Sequence, residues 1–131
     1  MAGVYLHIPF CKKACHYCDF HFSTSLKQKS DLINAVCKEI EMRKDEISCY
    51  DVIETIYIGG GTPSILNDED FSLIFKTIEK HFNLSSVKEI TLEANPDDLD
   101  ASKLNIIRQL PVNRLSIGIQ SFYDEDLSLI H

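Results

Sequence analysis

The stretch IETIYIGGG, residues 53–61, is a short apolar run that is stopped by three consecutive glycines. Such a run is typical of a buried strand that ends in a tight turn. Three further apolar runs are also predicted strands, because each is followed by residues that break a strand. The four predicted strands cover residues 4–8, 53–58, 87–93 and 115–119.

The segments between these strands repeat apolar residues at helical spacing, which predicts a helix in each connection. The predicted helices cover residues 30–47, 67–82 and 100–110, and a fourth opens at Asp124. In the third helix, Leu104, Ile107 and Leu110 are predicted to face the core. Strands that alternate with helices predict a parallel sheet with right-handed crossovers. We therefore expect an α/β fold in which residues 1–131 form one domain.

The composition limits the classes of partner. The chain has 131 residues, of which 44% are hydrophobic and 25% are charged, with a formal net charge of -7. This charge argues against nucleic acid or an anionic membrane as the main partner. No apolar run approaches the roughly 20 residues that span a bilayer, so membrane association is expected to be peripheral at most. The sequence shows no signal peptide, and we expect a cytoplasmic protein with reduced thiols.

Three of the five cysteines follow the first predicted strand as a C-x3-C-x2-C motif, formed by Cys11, Cys15 and Cys18. Three thiolates on one loop can hold three irons of a [4Fe–4S] cluster and leave the fourth iron to a small molecule, because such clusters are normally held by four cysteines. The alternative is a zinc site to which His16 or His21 contributes. The motif alone leaves both metals open.

The other two cysteines, Cys37 and Cys49, are separate from this triplet. Cys37 falls at helical spacing among apolar residues, which favours a small buried side chain. We expect the same of Cys49, which precedes the second strand. An odd number of cysteines also argues against a disulfide framework.

Ligand chemistry in parallel α/β folds gathers at the carboxyl ends of the strands, where unusual residues occur in this chain. The segment 59–64 lacks the lysine of a phosphate-binding loop and the glycine spacing of a dinucleotide site. It is either a plain turn or a cradle for an amino-acid-like ligand. Glu93 is either a solvated strand end or a group that binds a ligand ammonium, hydroxyl or amide. Gln120 is either a capping side chain or a hydrogen-bonding group of the same site.

Tyr5 and His7 lie on the same face of the first strand, because side chains alternate along a strand. We expect Tyr5 to line the site and His7 to have a structural role rather than to bind a metal. The acidic stretch of residues 97–100 is predicted to cap the third helix and to have no catalytic role.

Four segments of the chain carry a resemblance to a known family. They are residues 4–11 with Cys15 and Cys18, and residues 58–64, 92–96 and 114–122. Together they resemble the oxygen-independent coproporphyrinogen III oxidase family of radical S-adenosylmethionine (SAM) proteins, which includes haem chaperones. The resemblance implies the N-terminal part of a (β/α)6 partial TIM barrel with four parallel strands. It also implies that the chain is an N-terminal fragment, without the rest of the barrel and the region that binds haem or porphyrin.

The resemblance further implies which residues form the site. Cys11, Cys15 and Cys18 would bind a [4Fe–4S] cluster, whose open iron would bind SAM. The SAM site would be completed by Tyr5, Gly60, Gly61, Thr62, Glu93 and Gln120. In radical members of the family, an electron from the cluster cleaves SAM to methionine and a 5′-deoxyadenosyl radical. The protein positions the cofactors and excludes water and oxygen.

Position 20 discriminates within the family. The oxidases carry a further cysteine two residues after the third, whereas this chain has Phe20. The resemblance therefore implies a haem chaperone, which binds haem and transfers it to an acceptor protein. Its partners would be haem or porphyrin, a haem-acceptor protein and an electron donor such as flavodoxin or ferredoxin.

Two alternatives remain. One is an oxidase that decarboxylates the propionates of coproporphyrinogen III, which would make the protein an enzyme. The other is a small zinc-binding module, which would leave residues 59–64, Glu93 and Gln120 without a role.

Overall fold

The structure is a computed structural model, and it describes residues 2–47 and 52–130. In this part of the chain, strands and helices alternate regularly. The elements are β1 (Ala2–Ile8), α1 (Lys29–Met42), β2 (Ile53–Gly60), α2 (Asp68–His81), β3 (Glu89–Ala94), α3 (Ala101–Gln109), β4 (Arg114–Ile117) and α4 (Asp124–Ile130). Short 3-10 turns at Pro63–Ile65 and Pro96–Asp98 follow β2 and β3. The alternation confirms the predicted α/β fold class.

The strands form one parallel sheet in the order β1-β2-β3-β4. Ile8 pairs with Gly60 at the end of β1 and β2, and Ala94 pairs with Ile117 at the end of β3 and β4. The carboxyl ends of the strands therefore lie along one edge of the sheet. The loop with the cysteines, the glycines at the end of β2 and Glu93 near the end of β3 meet at this edge.

The two faces of the sheet differ because side chains alternate along each strand. One face is apolar and buried against the helices, with Ile58 of β2 and Leu92 of β3 fully buried beside Phe71 of α2. The opposite face carries Tyr57 and Glu93, which are only partly buried. The polar groups of the candidate site thus share the face that the helices leave open.

Side-chain caps begin two of the helices. The Asn67 side chain accepts a hydrogen bond from Asp70 N at 2.8 Å, and Asp70 accepts one from Asn67 N at 3.0 Å, so that α2 begins with a capping box. Asp100 accepts a hydrogen bond from Lys103 N at 2.7 Å and caps α3. Of the acidic stretch predicted to cap α3, Asp100 therefore has that role.

Several predicted boundaries differ from the structure. Helix α1 ends at Met42 rather than at residue 47, because the segment between Ile40 and Ile47 has no side chain that packs into the core. Arg43 instead forms ion pairs with two surface carboxylates, those of Glu39 and Glu46. Strand β3 covers Glu89–Ala94 rather than residues 87–93, and β4 covers Arg114–Ile117 rather than residues 115–119.

The predicted inward face of α3 is wrong at Leu104, whose side chain is 45% exposed. Ile107 is buried, and Ile106 and Leu110 pack against the core. The prediction followed positions i, i+3 and i+6, which drift around the helix, whereas the buried face of a helix follows i, i+3, i+4 and i+7.

Cys37 is partly buried and packs against the core, as expected for an apolar position on α1. Cys49 lies outside the described residues. No helix in residues 2–47 or 52–130 is long and apolar enough to cross a membrane.

Candidate functional site

The cysteine loop, residues 9–23, follows β1 and is closed by backbone hydrogen bonds. Pro9 O accepts from Ser23 N at 2.7 Å, and Ser23 O accepts from Cys11 N at 3.1 Å. Phe10 is buried in the core, so the start of the loop is fixed to the sheet. The loop carries three partly buried thiols that are not disulfide-bonded, those of Cys11, Cys15 and Cys18.

The glycine loop, residues 59–64, lies directly against the cysteine loop. Gly61 N donates to Ile8 O at 2.9 Å. Gly60 has a φ of 125°, and a Cβ atom there would lie 2.8 Å from Ile8 N and O. A Cβ atom on Gly61 would lie 2.7 Å from Cys11 Sγ. The glycines therefore allow a close approach of the two loops that a side chain would prevent.

The thiol of Cys11 is at the contact between these loops. Thr62 Oγ1 donates to Cys11 Sγ at 3.6 Å. Burial raises the pKa of the Cys11 thiol, and the charges of Cys18 and Cys15 raise this pKa further, while the Thr62 hydrogen bond lowers it. The three thiols are thus close enough for their charges to interact.

The donor chemistry of three neighbouring thiols fits a thiophilic metal such as iron or zinc. In the described ranges 2–47 and 52–130, no group of three His, Cys, Asp or Glu side chains is arranged to hold a metal ion. His16 and His21, which the zinc alternative would use, are both exposed. The choice of metal and the ligand set therefore stay predictions.

Glu93 has its carboxylate fixed by two donors from β2. Tyr57 Oη donates to Glu93 Oε1 at 2.6 Å, and Gly60 N donates to Glu93 Oε2 at 3.0 Å. The hydrogen bond to Glu93 is the largest of the effects that raise the pKa of Tyr57. Glu93 is therefore not a solvated strand end, because its two oxygens are oriented by a phenol and a backbone amide.

Tyr5 lies beside this carboxylate. Its ring stacks on the ring of Tyr57 with centroids 6.0 Å apart, and its hydroxyl lies 3.0 Å from His7 Nδ1. His7 Nε2 lies 3.4 Å from His21 O, so the tautomer with a proton on Nε2 satisfies both contacts. Burial, followed by the charge of Glu93, raises the pKa of Tyr5. His7 connects β1 to the cysteine loop through these contacts, and its structural role stays a prediction.

Gln120 forms its side-chain hydrogen bond within its own segment. Its side chain is exposed, and Gln120 Nε2 donates to Gly118 O at 3.3 Å within the same segment. In the part of the chain that the structure describes, the Gln120 side chain makes no hydrogen bond to Tyr5 or Glu93. The cysteine loop, the glycine loop, Tyr5 and Glu93 are thus connected by contacts, whereas among the described residues the Gln120 side chain is hydrogen-bonded only to Gly118.

Two features of the site were missed in the sequence. The sequence pattern predicts Tyr57 only as part of a strand, although the two-residue period places it on the same face as Gly59, next to Glu93. Asp98 is predicted as a capping residue, whereas it is buried and pairs with Lys12 of the cysteine loop. No local pattern indicates this pair, because the two residues are far apart in the sequence.

Comparison with known proteins identifies the family. The chain matches the radical SAM superfamily over residues 5–131. It is 40% identical to the haem chaperone HemW of Bacillus subtilis, over 99% of this chain and 35% of that protein. It is 36% identical to an oxygen-independent coproporphyrinogen III oxidase of Bradyrhizobium diazoefficiens, over 92% of this chain and 27% of that protein.

A solved structure shares the fold described above. Coproporphyrinogen III oxidase (HemN) from Escherichia coli, a radical SAM enzyme, matches with a TM-score of 0.85 and 31% identity, over 98% of this chain and 30% of that chain. The present chain spans about a third of the length of the curated relatives it matches. Because its sequence matches the family over residues 5–131 and its fold matches that of HemN, the chain belongs to the radical SAM superfamily.

Proposed function

We propose that residues 1–131 are part of a radical SAM core domain that binds a [4Fe–4S] cluster and SAM, in a protein of haem metabolism. The observation that carries the proposal is the close approach of two loops. The thiol of Cys11 lies 2.7 Å from the position that a Cβ atom of Gly61 would occupy. A group held by this thiol would therefore lie beside the glycine backbone, where a ligand can contact both loops.

Cys11, Cys15 and Cys18 would hold the cluster through their thiolates. Membership of the superfamily favours an iron–sulfur cluster over zinc. When bound, such a cluster supplies an iron without a protein ligand and one-electron chemistry at that iron. Proton loss from Cys11 is opposed by burial and by the neighbouring thiolates, so cluster binding must compensate for this cost.

Tyr5, Gly60, Gly61, Thr62, Glu93 and Gln120 would form the SAM site. Glu93 receives one hydrogen bond on each oxygen, and a carboxylate oxygen has further lone pairs that can accept from an ammonium group. The glycine backbone would lie beside the methionine part of SAM, and Thr62 offers a hydroxyl next to Cys11. Tyr5 adds an aromatic face to this side of the site.

We further propose that the whole protein is a haem chaperone, which binds haem and transfers it to an acceptor protein. Support comes from the 40% identity to HemW of Bacillus subtilis and from Phe20, which stands where the oxidases have a further cysteine. Phe20 is exposed, so this position of the loop offers an apolar side chain rather than a thiol.

The second candidate function is that of a coproporphyrinogen III oxidase. It is favoured by the 36% identity to the Bradyrhizobium protein of that name and by the fold shared with HemN. An electron donor such as flavodoxin or ferredoxin would be needed to reduce the cluster in this case. The full-length protein distinguishes the two functions, because only the oxidase releases carbon dioxide from coproporphyrinogen III.

The cluster proposal is tested by anaerobic reconstitution with iron and sulfide. We expect about four irons per chain, as a [4Fe–4S] cluster requires, and an electron paramagnetic resonance (EPR) signal of the reduced protein that changes when SAM is added. Replacement of Cys11, Cys15 or Cys18 by alanine should abolish iron uptake, whereas Cys37→Ala should not. Full iron content in any of the three loop variants would contradict the ligand set, and zinc without iron would contradict the proposed function.

A further inference from the structure

Asp98 is a buried carboxylate that the proposed function does not use. Its side chain is 3% exposed, whereas Asp97 beside it is exposed. Asp98 does not cap α3, because Asp100 makes the capping hydrogen bond. A buried carboxylate is costly unless other groups compensate its charge, so its partners indicate its role.

The two partners of Asp98 come from two different loops, and Asp98 itself lies on a third. Lys12 of the cysteine loop forms an ion pair with Asp98 Oδ1. Ser64 Oγ, from the turn after β2, donates to Asp98 Oδ2 at 2.6 Å and accepts from Asn95 N at 3.1 Å. A single carboxylate on the turn after β3 thus connects the segments that follow β1, β2 and β3.

A second ammonium group lies near this carboxylate. Lys103 of α3 donates to Leu66 O, and burial lowers its pKa while the charge of Asp98 raises it. Asp98 therefore keeps a positive neighbour when Lys12 is removed. The fold should then survive the loss of Lys12, and the effect on the cysteine loop can be measured separately.

Lys12 connects an otherwise exposed stretch of the cysteine loop to the sheet edge. Residues 12–14, 16 and 17 are exposed, and Lys12 follows Cys11 directly. Cys11 in turn lies against Gly61 and accepts from Thr62. A tether at Lys12 therefore acts next to the contact at which the cysteine loop and the glycine loop meet.

We propose that Lys12, Asp98 and Ser64 form an anchor that holds the cysteine loop against the glycine loop before any cluster is bound. Lys12 and Asp98 are then positioning residues for the thiols, and they do not touch the cluster or SAM. The expected consequence of the anchor is retention of the cluster, and this consequence rests on the proposed function. The anchor consists of protein groups alone, so it can be tested in the metal-free protein.

The chain offers a matched control for Lys12 in Lys13. The two residues are adjacent and carry the same charge, but Lys13 is exposed and forms no ion pair with any described residue. Lys12→Met and Lys13→Met therefore change the net charge of the loop equally. Only Lys12→Met removes the connection to Asp98.

The first measurement is the rate at which iodoacetamide alkylates individual cysteines in the reduced, metal-free protein, followed by peptide mass spectrometry. Cys11 should be labelled about tenfold faster in Lys12→Met and in Asp98→Asn, the factor expected when a hydrogen bond between charged groups is lost. In Lys13→Met, Cys11 should be labelled at the same rate as in the wild type. Cys37 of α1 is the internal reference, and its rate should stay unchanged.

The second measurement concerns the reconstituted protein. Loss of iron to a chelator should be about tenfold faster in Lys12→Met than in Lys13→Met, and Lys12→Arg should restore most of the retention. The double variant with Lys12→Met and Asp98→Asn should lose iron no faster than the single variant that loses it faster, because both changes break the same connection.

The outcomes separate the anchor from the proposed function. Equal Cys11 labelling in Lys12→Met and Lys13→Met would overturn the anchor, even if iron is taken up normally. Faster labelling of Cys11 and Cys37 together would show general unfolding, and it would overturn the positioning role as well. A wild-type protein that takes up no iron would contradict the proposed function, while the labelling rates would still decide the anchor.

Discussion

The loops after β1, β2 and β3 are joined much more closely than the segment after β4. Gly61 lies against Cys11, and Glu93 receives hydrogen bonds from Tyr57 and Gly60. The side chains of residues 118–123 bond instead within their own segment and to the start of α4. Phe122, on that segment, is 88% exposed.

The difference follows from the extent of strand pairing. Strands β1 and β4 are the two edges of the described sheet, but β1 pairs with β2 over Ala2–Ile8, whereas β4 pairs with β3 only over Arg114–Ile117. The ends of neighbouring strands that pair in register can share hydrogen bonds, as Gly60 of β2 and Glu93 of β3 do. A strand end therefore contributes to a site through hydrogen bonds with neighbouring strands and not through its own sequence alone.

The largest effect is expected from Gly60→Ala, which places a side chain into the close contact of β1 and β2. Gly60 has a φ of 125°, and the new Cβ atom would lie 2.8 Å from the backbone N and O of Ile8. The free energy of unfolding should fall by about 3 kcal/mol, and iron uptake should be lost. Urea unfolding followed by circular dichroism measures the first effect.

The matched control is Gly118→Ala, in the segment after β4. There the new Cβ atom would meet only the flexible end of Gln120, at 3.0 Å. The free energy of unfolding should change by less than about 0.5 kcal/mol. If the two glycine variants were equally stable, the contrast between the two regions would be wrong.

An intermediate effect is expected from Tyr57→Phe, which removes the phenol that donates to Glu93 Oε1. The free energy of unfolding should fall by about 1 kcal/mol, because a partly buried hydrogen bond is lost. SAM should bind about tenfold more weakly to the reconstituted protein, since Glu93 is then held by Gly60 alone. Isothermal titration measures the binding, and Tyr123→Phe, at an exposed tyrosine, should behave as the wild type.

The stability difference between the wild type and Tyr57→Phe should also depend on pH. The hydrogen bond to Glu93 raises the pKa of Tyr57 above the ordinary value of 10.0. A group whose pKa is raised on folding stabilises the protein fully below its ordinary pKa and loses this contribution as the pH rises through the raised value. The stability difference between the wild type and Tyr57→Phe should therefore be constant near neutral pH and shrink above about pH 10. A difference that grows in alkaline solution would contradict the assignment of Tyr57 as the donor.

The smallest effect is expected from Gln120→Ala. The exposed amide donates only to Gly118 O in its own segment, so the free energy of unfolding should change by less than about 0.5 kcal/mol. SAM affinity should fall less than in Tyr57→Phe, because the Gln120 side chain is not oriented by a neighbouring strand. An equal or larger loss of affinity would mean that the segment after β4 contributes to the SAM site as strongly as Tyr57 does.

The elements were largely predictable because each depends on a local pattern. The apolar runs and the helical spacing between them predicted the strands, their parallel order and the edge at which the loops gather. The end of α1 and the buried face of α3 were not predicted correctly. At Met42 and Leu104 an apolar side chain is exposed, and only the position of the core shows which side of a helix is covered.

The sequence by itself determined the class of fold, the family resemblance and the candidate residues, since strand alternation and the C-x3-C-x2-C spacing are local properties. The tertiary structure alone decided how these residues are connected. Tyr57 and Gly60 donate to Glu93, Asp98 bonds to Lys12 and Ser64, and within the described ranges the Gln120 side chain donates only to Gly118. The physical reason is that hydrogen bonds and ion pairs between distant segments depend on strand register and burial, and neither is encoded in the spacing of residues along one segment.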